Sequence, residues 1–136
     1  MSKEFNPEET ARFADDLVSE NSEISPEEKN AIESLPEGNA LLIVTRGPNR
    51  GARFLLDADS TIAGRHPNAD IFLDDVTVSR KHAEFMRTAN GFEIKDLGSL
   101  NGTYMLGERV DQAPLTNGAE VQVGKFKMIF YSAVNG

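Results

Sequence analysis

Three short groups of cationic, hydroxyl and amide residues lie between apolar segments of this 136-residue chain. The groups are Gly64-Arg65, Ser79-Arg80-Lys81-His82 and Ser99-Leu100-Asn101-Gly102-Thr103. Arginine offers a bidentate guanidinium fork, serine a hydroxyl and lysine an ammonium, and these groups together can hold a phosphate dianion. The amide of Asn101 both donates and accepts, so it is suited to holding the backbone of an extended peptide. Together the groups supply the donors and cations that a phosphate and an extended peptide backbone would need.

Each group alone has a simpler structural interpretation. An arginine after a glycine is usually a solvated turn, a serine before a strand usually caps its own backbone, and Asn-Gly usually forms a turn. At the start of an apolar segment, His82 is expected to orient a loop by hydrogen bonding rather than to bind a metal or act as a base. Only the combination of all three groups favours a binding site.

Short β-type segments separated by turn residues must position these groups. Turn signals lie at Gly47-Pro48-Asn49, Asn90-Gly91 and Asn117-Gly118. The segments between them are rich in β-branched and aromatic residues, and several alternate apolar with polar side chains. Many short strands at close spacing predict an all-β chain folded as an antiparallel β-sandwich. We predict strands at residues 40–45, 53–56, 61–63, 71–73, 83–86, 92–95, 103–106, 120–123 and 126–131.

The negative charge is concentrated in the first 38 residues. They contain 11 of the 22 Asp and Glu but three of the 14 Lys and Arg, which accounts for the whole net charge of −8. The balanced remainder lacks the excess of Lys and Arg on which general nucleic-acid binding depends. We therefore predict an acidic regulatory tail over residues 1–38 and one folded domain over residues 39–136, with no nucleic-acid partner.

The tail repeats one helix-start pattern. In Asn6-Pro7-Glu8-Glu9 and Ser25-Pro26-Glu27-Glu28, a capping residue precedes a proline, and glutamate follows the cap by three positions. Two short helices are possible, but each is shorter than the roughly 12 residues at which isolated helices become more than marginal in water. We predict a mostly disordered acidic tail.

Composition disfavours several other classes of function. The chain has no cysteine, which excludes thiolate metal sites and cysteine nucleophiles. It has two histidines, so few residues are available for histidine-based catalysis. We expect no metal, no cofactor and no enzymatic activity. Residues 118–125 superficially resemble a phosphate-binding loop, but one residue too many separates the glycines, and Phe126 stands where Ser or Thr should follow. No apolar run approaches the roughly 18 residues of a membrane span, and no apolar leader is present, so we expect a cytoplasmic protein without a membrane partner.

In combination, Gly-Arg, Ser-x-x-His and Asn-Gly in this order resemble the forkhead-associated (FHA) family from Leu41 to about Tyr131. The resemblance implies an FHA-type antiparallel β-sandwich of about eleven strands whose loops at one end bind phosphothreonine. Family members also read the third residue after the phosphothreonine. The implied roles are phosphothreonine contacts for Arg65, Ser79, Arg80, Leu100 and Asn101, loop architecture for Gly64, His82 and Gly102, and a specificity pocket at Val76, Thr77 and Val78.

The chain is also similar to one branch of this family, the oxoglutarate dehydrogenase inhibitor and glycogen accumulation regulator type. That branch has an acidic tail with a Glu-Thr-Thr-x-x-Phe motif. In Glu8-Glu9-Thr10-Ala11-Arg12-Phe13, Thr10 matches the second threonine and Glu9 stands in the place of the first. Stretches of the domain that carry the similarity include residues 46–49, 51–57, 63–67, 70–80, 98–104 and 124–126.

The branch implies a regulator with two states. Unphosphorylated, the domain would bind and modulate enzymes such as the E1 component of 2-oxoglutarate dehydrogenase and glutamate dehydrogenase. A serine/threonine protein kinase would phosphorylate Thr10, and the phosphorylated tail would then occupy the protein's own FHA site and block those partners. The alternative is a general FHA adaptor that recruits phosphothreonine-bearing partners such as kinases. In that alternative the tail is only a linker. A separate structural interpretation of the segment places Thr10 in the first turn of a frayed helix that is anchored by Phe13.

Overall fold

The computed structural model of the chain describes residues 25–133. One helix and eleven strands lie in this range. The chain divides into two compact units between Ala31 and Ile32. The elements are α1 (Pro26–Glu33), β1 (Ala40–Arg46), β2 (Arg53–Leu56), β3 (Ser60–Gly64), β4 (Ile71–Phe72), β5 (Ala83–Thr88), β6 (Gly91–Asp96), β7 (Thr103–Met105), β8 (Glu108–Val110), β9 (Gln112–Leu115), β10 (Glu120–Val123) and β11 (Phe126–Ser132).

The start of α1 is fixed by a reciprocal capping box. The backbone N–H of Glu28 donates to the hydroxyl of Ser25, and the backbone N–H of Ser25 donates to the carboxylate of Glu28, each at 3.1 Å. This confirms the second of the two helix-start patterns in the tail. The first pattern, Thr10 and the part of the tail before Ser25 lie outside the described residues, so the predicted disorder is not tested there, and the described part of the tail contains α1. The domain boundary between residues 38 and 39 stays a prediction.

The strands form two sheets that pack as a sandwich. One sheet has the order β2-β1-β11-β10-β7-β8, and the other has the order β4-β3-β5-β6-β9. The pairs are antiparallel except for β3 and β4, which run parallel through Ala63↔Ile71 and Gly64↔Phe72. The predicted all-β sandwich of about eleven strands is confirmed, with this two-residue parallel pair as its exception. No helix among the described residues is long and apolar enough to cross a membrane.

Alternating apolar side chains of the two sheets make the core. On β11, Phe126, Met128 and Phe130 are fully or almost fully buried. The rings of Phe92 and Phe130 meet edge to face, with centroids 5.9 Å apart. Each such side chain stabilises the fold by about 1.5–3 kcal/mol when it leaves water. The resulting core is rigid enough to hold the connecting loops in place.

Strand register brings the three polar groups of the sequence to one end of the sandwich. Ala63 near the end of β3 pairs with Ala83 at the start of β5, and Ala83 pairs with Asp96 at the end of β6. In the other sheet, Thr103 at the start of β7 pairs with Val123 at the end of β10. The connections that follow or precede these residues therefore meet at the same end, which we call the ligand end.

Candidate functional site

Gly64 is the last residue of β3, and Arg65 follows it. Both residues contact the connection between β4 and β5. A Cβ atom on Gly64 would lie 2.0 Å from the carbonyl oxygen of Arg80, so only glycine fits at this close approach. The backbone N–H of Arg65 donates to the carbonyl of Ser79 (2.9 Å), and its Nε–H donates to the carbonyl of Val78 (3.0 Å). The guanidinium is therefore held in one orientation, and no partner for its terminal nitrogens lies within residues 25–133.

His82 is a buried bridge between two loops. The backbone N–H of Ser79 donates to Nδ1 of His82 (3.0 Å), so Nδ1 carries no proton. Nε2 must then carry the proton, and it donates to the carbonyl of Gly102 at 2.8 Å. The side chain has no exposed surface. The histidine thus orients the two loops and has no surface exposed to a ligand.

Ser79 and Leu100 are joined directly. The backbone N–H of Leu100 donates to the hydroxyl oxygen of Ser79 at 3.0 Å. Because that oxygen acts here as an acceptor, the hydroxyl proton of Ser79 remains available to a second group. Leu100 itself is 85% exposed. The pair presents a hydroxyl donor next to an exposed apolar side chain.

Asn101 is tied to the β4–β5 connection through Thr77. Its Nδ2 donates to the carbonyl of Thr77 at 2.9 Å, which leaves its Oδ1 and its second N–H free of partners in the described range. Thr77 is held in turn, because its backbone N–H and its hydroxyl both donate to the carboxylate of Asp75. These two bonds hold the pKa of Asp75 below its usual value. The hydroxyl of Thr77 also accepts from the backbone N–H of Lys125 (2.9 Å).

Asp96, the last residue of β6, holds the β6–β7 loop in place through hydrogen bonds to its carboxylate. Its carboxylate accepts from the backbone N–H groups of Gly98 and Ser99, from the Ser99 hydroxyl (2.5 Å) and from the Thr103 hydroxyl (2.7 Å). Burial by itself would raise the pKa of Asp96, but these hydrogen bonds outweigh it and hold the pKa below its usual value of 3.8. The hydroxyl of Ser99 then accepts from the N–H of Gly102 (2.9 Å), which fixes the turn that carries Asn101.

An open groove of about 560 Å³ runs from these loops along the sheet. We call it the ligand-end groove. Gly124 forms part of its wall with a φ of +58°, and a Cβ there would lie 2.5 Å from the hydroxyl of Thr77, so the close contact requires glycine. The lining residues are Thr77, Asn101, Gly102, Tyr104, Gly107, Gln122, Gly124 and Lys125.

The ligand end carries exposed positive charge. Arg65, Arg80, Lys81 and Lys125 are exposed, and none of them forms an ion pair with another described residue. No cluster of His, Asp and Glu that could hold a metal ion is present in the described part of the chain. The arrangement offers fixed donors and cations to an anionic group.

The structure places the predicted site residues in three ways. Arg65, Ser79, Arg80, Leu100 and Asn101 all lie on the loops of the ligand end, and Gly64, His82 and Gly102 hold those loops together. Of the proposed specificity pocket, Val76 is 87% exposed and Thr77 lines the groove. Val78 is the exception, because its side chain is 1% exposed and packs in the core, where no ligand reaches it.

Sequence reasoning missed Asp96 and Lys125. An aspartate two and three residues before Gly98 and Ser99 is a signal for a side-chain cap on the loop backbone, and it would have identified Asp96. Nothing in the local sequence around Lys125 indicates that its backbone N–H reaches Thr77, which lies 48 positions earlier.

Comparisons with known proteins agree with this architecture. The FHA domain family model matches residues 61–124. An oxoglutarate dehydrogenase inhibitor of Corynebacterium jeikeium is 53% identical over 129 residues, which cover 93% of this chain and 90% of that protein. The glycogen accumulation regulator GarA of Mycolicibacterium smegmatis is 61% identical over 101 residues, which cover 74% of this chain and 64% of that protein.

A solved structure supports the same assignment. The crystal structure of the FHA domain of the CT664 protein from Chlamydia trachomatis matches with a TM-score of 0.66 and 34% identity. The match covers 71% of this chain and 99% of that chain. The FHA domain is a binding module, and the two sequence relatives are named as an inhibitor and a regulator. This chain therefore belongs to the FHA domain family, and within it to the group that contains the oxoglutarate dehydrogenase inhibitors.

Proposed function

We propose that this chain is a phosphothreonine-binding regulatory protein that binds and modulates enzymes of 2-oxoglutarate and glutamate metabolism. In its active state the tail is unphosphorylated, and the partners are the E1 component of 2-oxoglutarate dehydrogenase and glutamate dehydrogenase. A serine/threonine protein kinase phosphorylates Thr10, and the phosphorylated tail occupies the protein's own FHA site. The protein acts in the cytoplasm, without a nucleic-acid or membrane partner.

One observation carries the phosphothreonine proposal: donors on three separate loops are fixed before any ligand arrives. Arg65 is held through Nε, Ser79 through its hydroxyl oxygen and Asn101 through Nδ2, and each keeps unused donors. Preorganised donors lose little conformational entropy on binding, so they hold an anion more tightly than mobile ones. Arg80 and Lys81 add charge at the same end. A phosphate dianion satisfies this set of groups.

The groove supports a role for residues that follow the phosphothreonine. It begins at Thr77 and Asn101, beside the proposed phosphate contacts, and continues towards Gly107. An extended peptide rises about 3.3 Å per residue, so its third residue after the phosphothreonine lies about 10 Å from the phosphothreonine. We assign that residue to contacts with Val76 and Thr77. In the tail, Phe13 is the third residue after Thr10.

The switch follows from charge. Phosphorylation adds about −1.5 to −2 charges and three strong acceptor oxygens to Thr10, and charge-assisted hydrogen bonds are worth about 1.5–3 kcal/mol each. Unmodified threonine offers no such acceptors. Because the tail and the domain are one chain, docking is intramolecular and its effective concentration is of millimolar order. An external enzyme that shares the loops is thereby displaced.

Calorimetry with peptides tests the binding step. The full chain carrying Thr10→Ala is titrated with Pro7–Leu17 peptides that contain threonine, phosphothreonine or phosphoserine at position 10. We expect binding of the phosphothreonine peptide alone, because the threonine methyl group adds an apolar contact that phosphoserine lacks. Absence of binding by all three peptides would remove the tail as a ligand of this site and would favour the adaptor alternative.

Enzyme inhibition tests the regulatory step. Activity of 2-oxoglutarate dehydrogenase is measured with the unphosphorylated chain, with the chain phosphorylated at Thr10, and with Thr10→Ala exposed to the same kinase. We expect phosphorylation to abolish the effect of the wild-type chain and to leave that of Thr10→Ala intact. An equal effect of both wild-type forms would exclude the switch while leaving phosphopeptide binding untouched.

A further inference from the structure

Leu106 adopts a backbone conformation that its side chain disfavours. Its φ is +53°, and it is the one non-glycine residue with a positive φ between residues 25 and 133. Leu106 and Gly107 form the two-residue turn between β7 and β8, since the flanking Met105 and Glu108 pair directly. Such a turn favours asparagine or aspartate before the glycine. Leucine at this position therefore costs folding stability that asparagine would not.

Burial does not compensate for this strain. The side chain of Leu106 is 63% exposed, whereas the core leucines Leu42 and Leu56 have no exposed surface. The turn itself is held in place, because the backbone N–H of Leu106 donates to the carbonyl of Glu120 on β10 at 2.9 Å. A strained, exposed and apolar residue on a fixed turn is not explained by stability, which points to a contact with another molecule.

The position of Leu106 connects it to the ligand end. Its neighbours Tyr104 and Gly107 line the ligand-end groove together with Asn101. Leu106 itself lies at the far end of β7, and two other large apolar residues project from the loops of the ligand end, Val76 with 87% and Leu100 with 85% of their surface exposed. Three of the five exposed large apolar residues in the described range thus border one groove or the loops at its mouth.

We infer that Leu106 is a docking residue for a folded protein partner that contacts the β7–β8 turn and the ligand-end loops at once. An extended peptide follows one line across the loops, whereas three apolar side chains on three separate connections are covered together by a surface. An interface of standard size covers about 800 Å² on each partner, which is ample for this span. The partner surface is apolar with a carboxylate beside it, because the exposed cations Arg65 and Arg80 lie at the same end.

The inference rests on the proposed function, and it assigns this surface to 2-oxoglutarate dehydrogenase rather than to the phosphorylated tail. The test uses Leu106→Asn in the full chain. We expect affinity for 2-oxoglutarate dehydrogenase to fall about tenfold, while the dissociation constant of the Pro7–Leu17 phosphothreonine peptide changes less than twofold. The unfolding temperature should stay the same or rise, because asparagine suits the turn.

Two further variants separate a contact from a structural effect. Leu106→Met keeps an apolar side chain and should retain affinity within about threefold. Leu55→Thr removes another exposed leucine, on the edge strand β2, and should leave enzyme affinity unchanged.

The alternative outcomes are distinct. Equal enzyme affinity of the wild type and Leu106→Asn would overturn the docking role. An equal loss of phosphopeptide affinity would instead place Leu106 in the peptide groove and would overturn the assignment to a folded partner. Failure of the wild type to bind 2-oxoglutarate dehydrogenase would overturn both the proposed partner and the docking role of Leu106. Phosphopeptide binding would still test the phosphothreonine site independently.

Discussion

Nε2 of His82 donates a 2.8 Å hydrogen bond to the carbonyl oxygen of Gly102, which lies 20 positions further along the chain. The other ring nitrogen accepts the backbone N–H of Ser79. One neutral, fully buried ring therefore sets the distance between the loop that carries Ser79 and the turn that carries Asn101. Because both loops supply proposed phosphothreonine contacts, the geometry of the site depends on a residue that no ligand touches.

His82→Ala should lower both stability and phosphopeptide affinity. The substitution leaves the N–H of Ser79 and the carbonyl of Gly102 without partners and opens a cavity, so we expect a loss of about 3 kcal/mol in the free energy of unfolding. Phosphothreonine peptide affinity should fall at least tenfold at a temperature where the variant is folded. Urea unfolding and calorimetry measure the two quantities.

His66→Ala is the matched control for this substitution. His66 is less buried, and its Nδ1 accepts from the backbone N–H of Asn68 two positions away, within one turn. We expect a change in unfolding free energy below about 0.5 kcal/mol. A folded His82→Ala variant with wild-type peptide affinity would show that the two loops keep their positions without the bridge.

Asp96→Asn should weaken the acid dependence of stability. The folded-state pKa of Asp96 is below its ordinary value, so its carboxylate stabilises the fold above that value and loses this effect as pH falls through the folded pKa. Between about pH 5 and pH 3 the wild type should therefore lose stability more steeply than Asp96→Asn. Urea unfolding across this pH range measures the difference between the two proteins. A constant difference from pH 7 to pH 3 would contradict the prediction.

The sequence patterns predicted the strands that are rich in apolar, β-branched and aromatic residues, and they missed one short charged strand and one short strand that contains proline. Strands 53–56 and 120–123 were predicted with the bounds that the structure shows. β8 (Glu108–Val110) and β9 (Gln112–Leu115) were missed, because β8 begins with two charged residues and β9 contains Pro114. Both are edge strands, where a proline or charged side chains are tolerated since one side of the strand needs no partner.

Candidate site residues could be named from the sequence where several groups together match a family pattern, and not where a residue's role depends on packing. Arg65 and Ser79 were predicted as phosphothreonine contacts from the combination of the three polar groups. Val78 was misassigned because nothing in a run of apolar and polar residues shows that its side chain turns into the core. Leu106 was predicted as the last residue of a strand, but β7 ends at Met105, and the positive φ of Leu106 follows from the register of β7 and β8.

Arg87→Met should reduce stability without affecting ligand binding. The guanidinium of Arg87 bonds to Asp59 (3.2 Å) and to Asn39 (3.1 Å), and it lies 5.7 Å from the ring centre of Phe92. Methionine loses these contacts, but it also removes a buried Nε–H that has no partner, so we expect a net loss of about 1 kcal/mol.

Arg87 is four residues along β5 from Ala83, about 13 Å from the ligand end. Phosphothreonine peptide affinity of Arg87→Met should therefore stay within twofold of the wild type. A larger change would mean that the two ends of the sandwich are coupled.

Arg65→Lys should reduce phosphothreonine peptide affinity about tenfold while leaving stability nearly unchanged. Lysine keeps the positive charge, but it cannot bond to the carbonyl of Val78 and present a guanidinium fork at the same time. Because Arg65 is exposed, loss of the Nε bond should change the free energy of unfolding by less than about 1 kcal/mol. Arg53→Lys on β2, also exposed, controls for the general effect of the exchange and should bind normally. If Arg65→Lys binds as tightly as the wild type, Arg65 contributes charge alone, and its orientation by Val78 has no role in recognition.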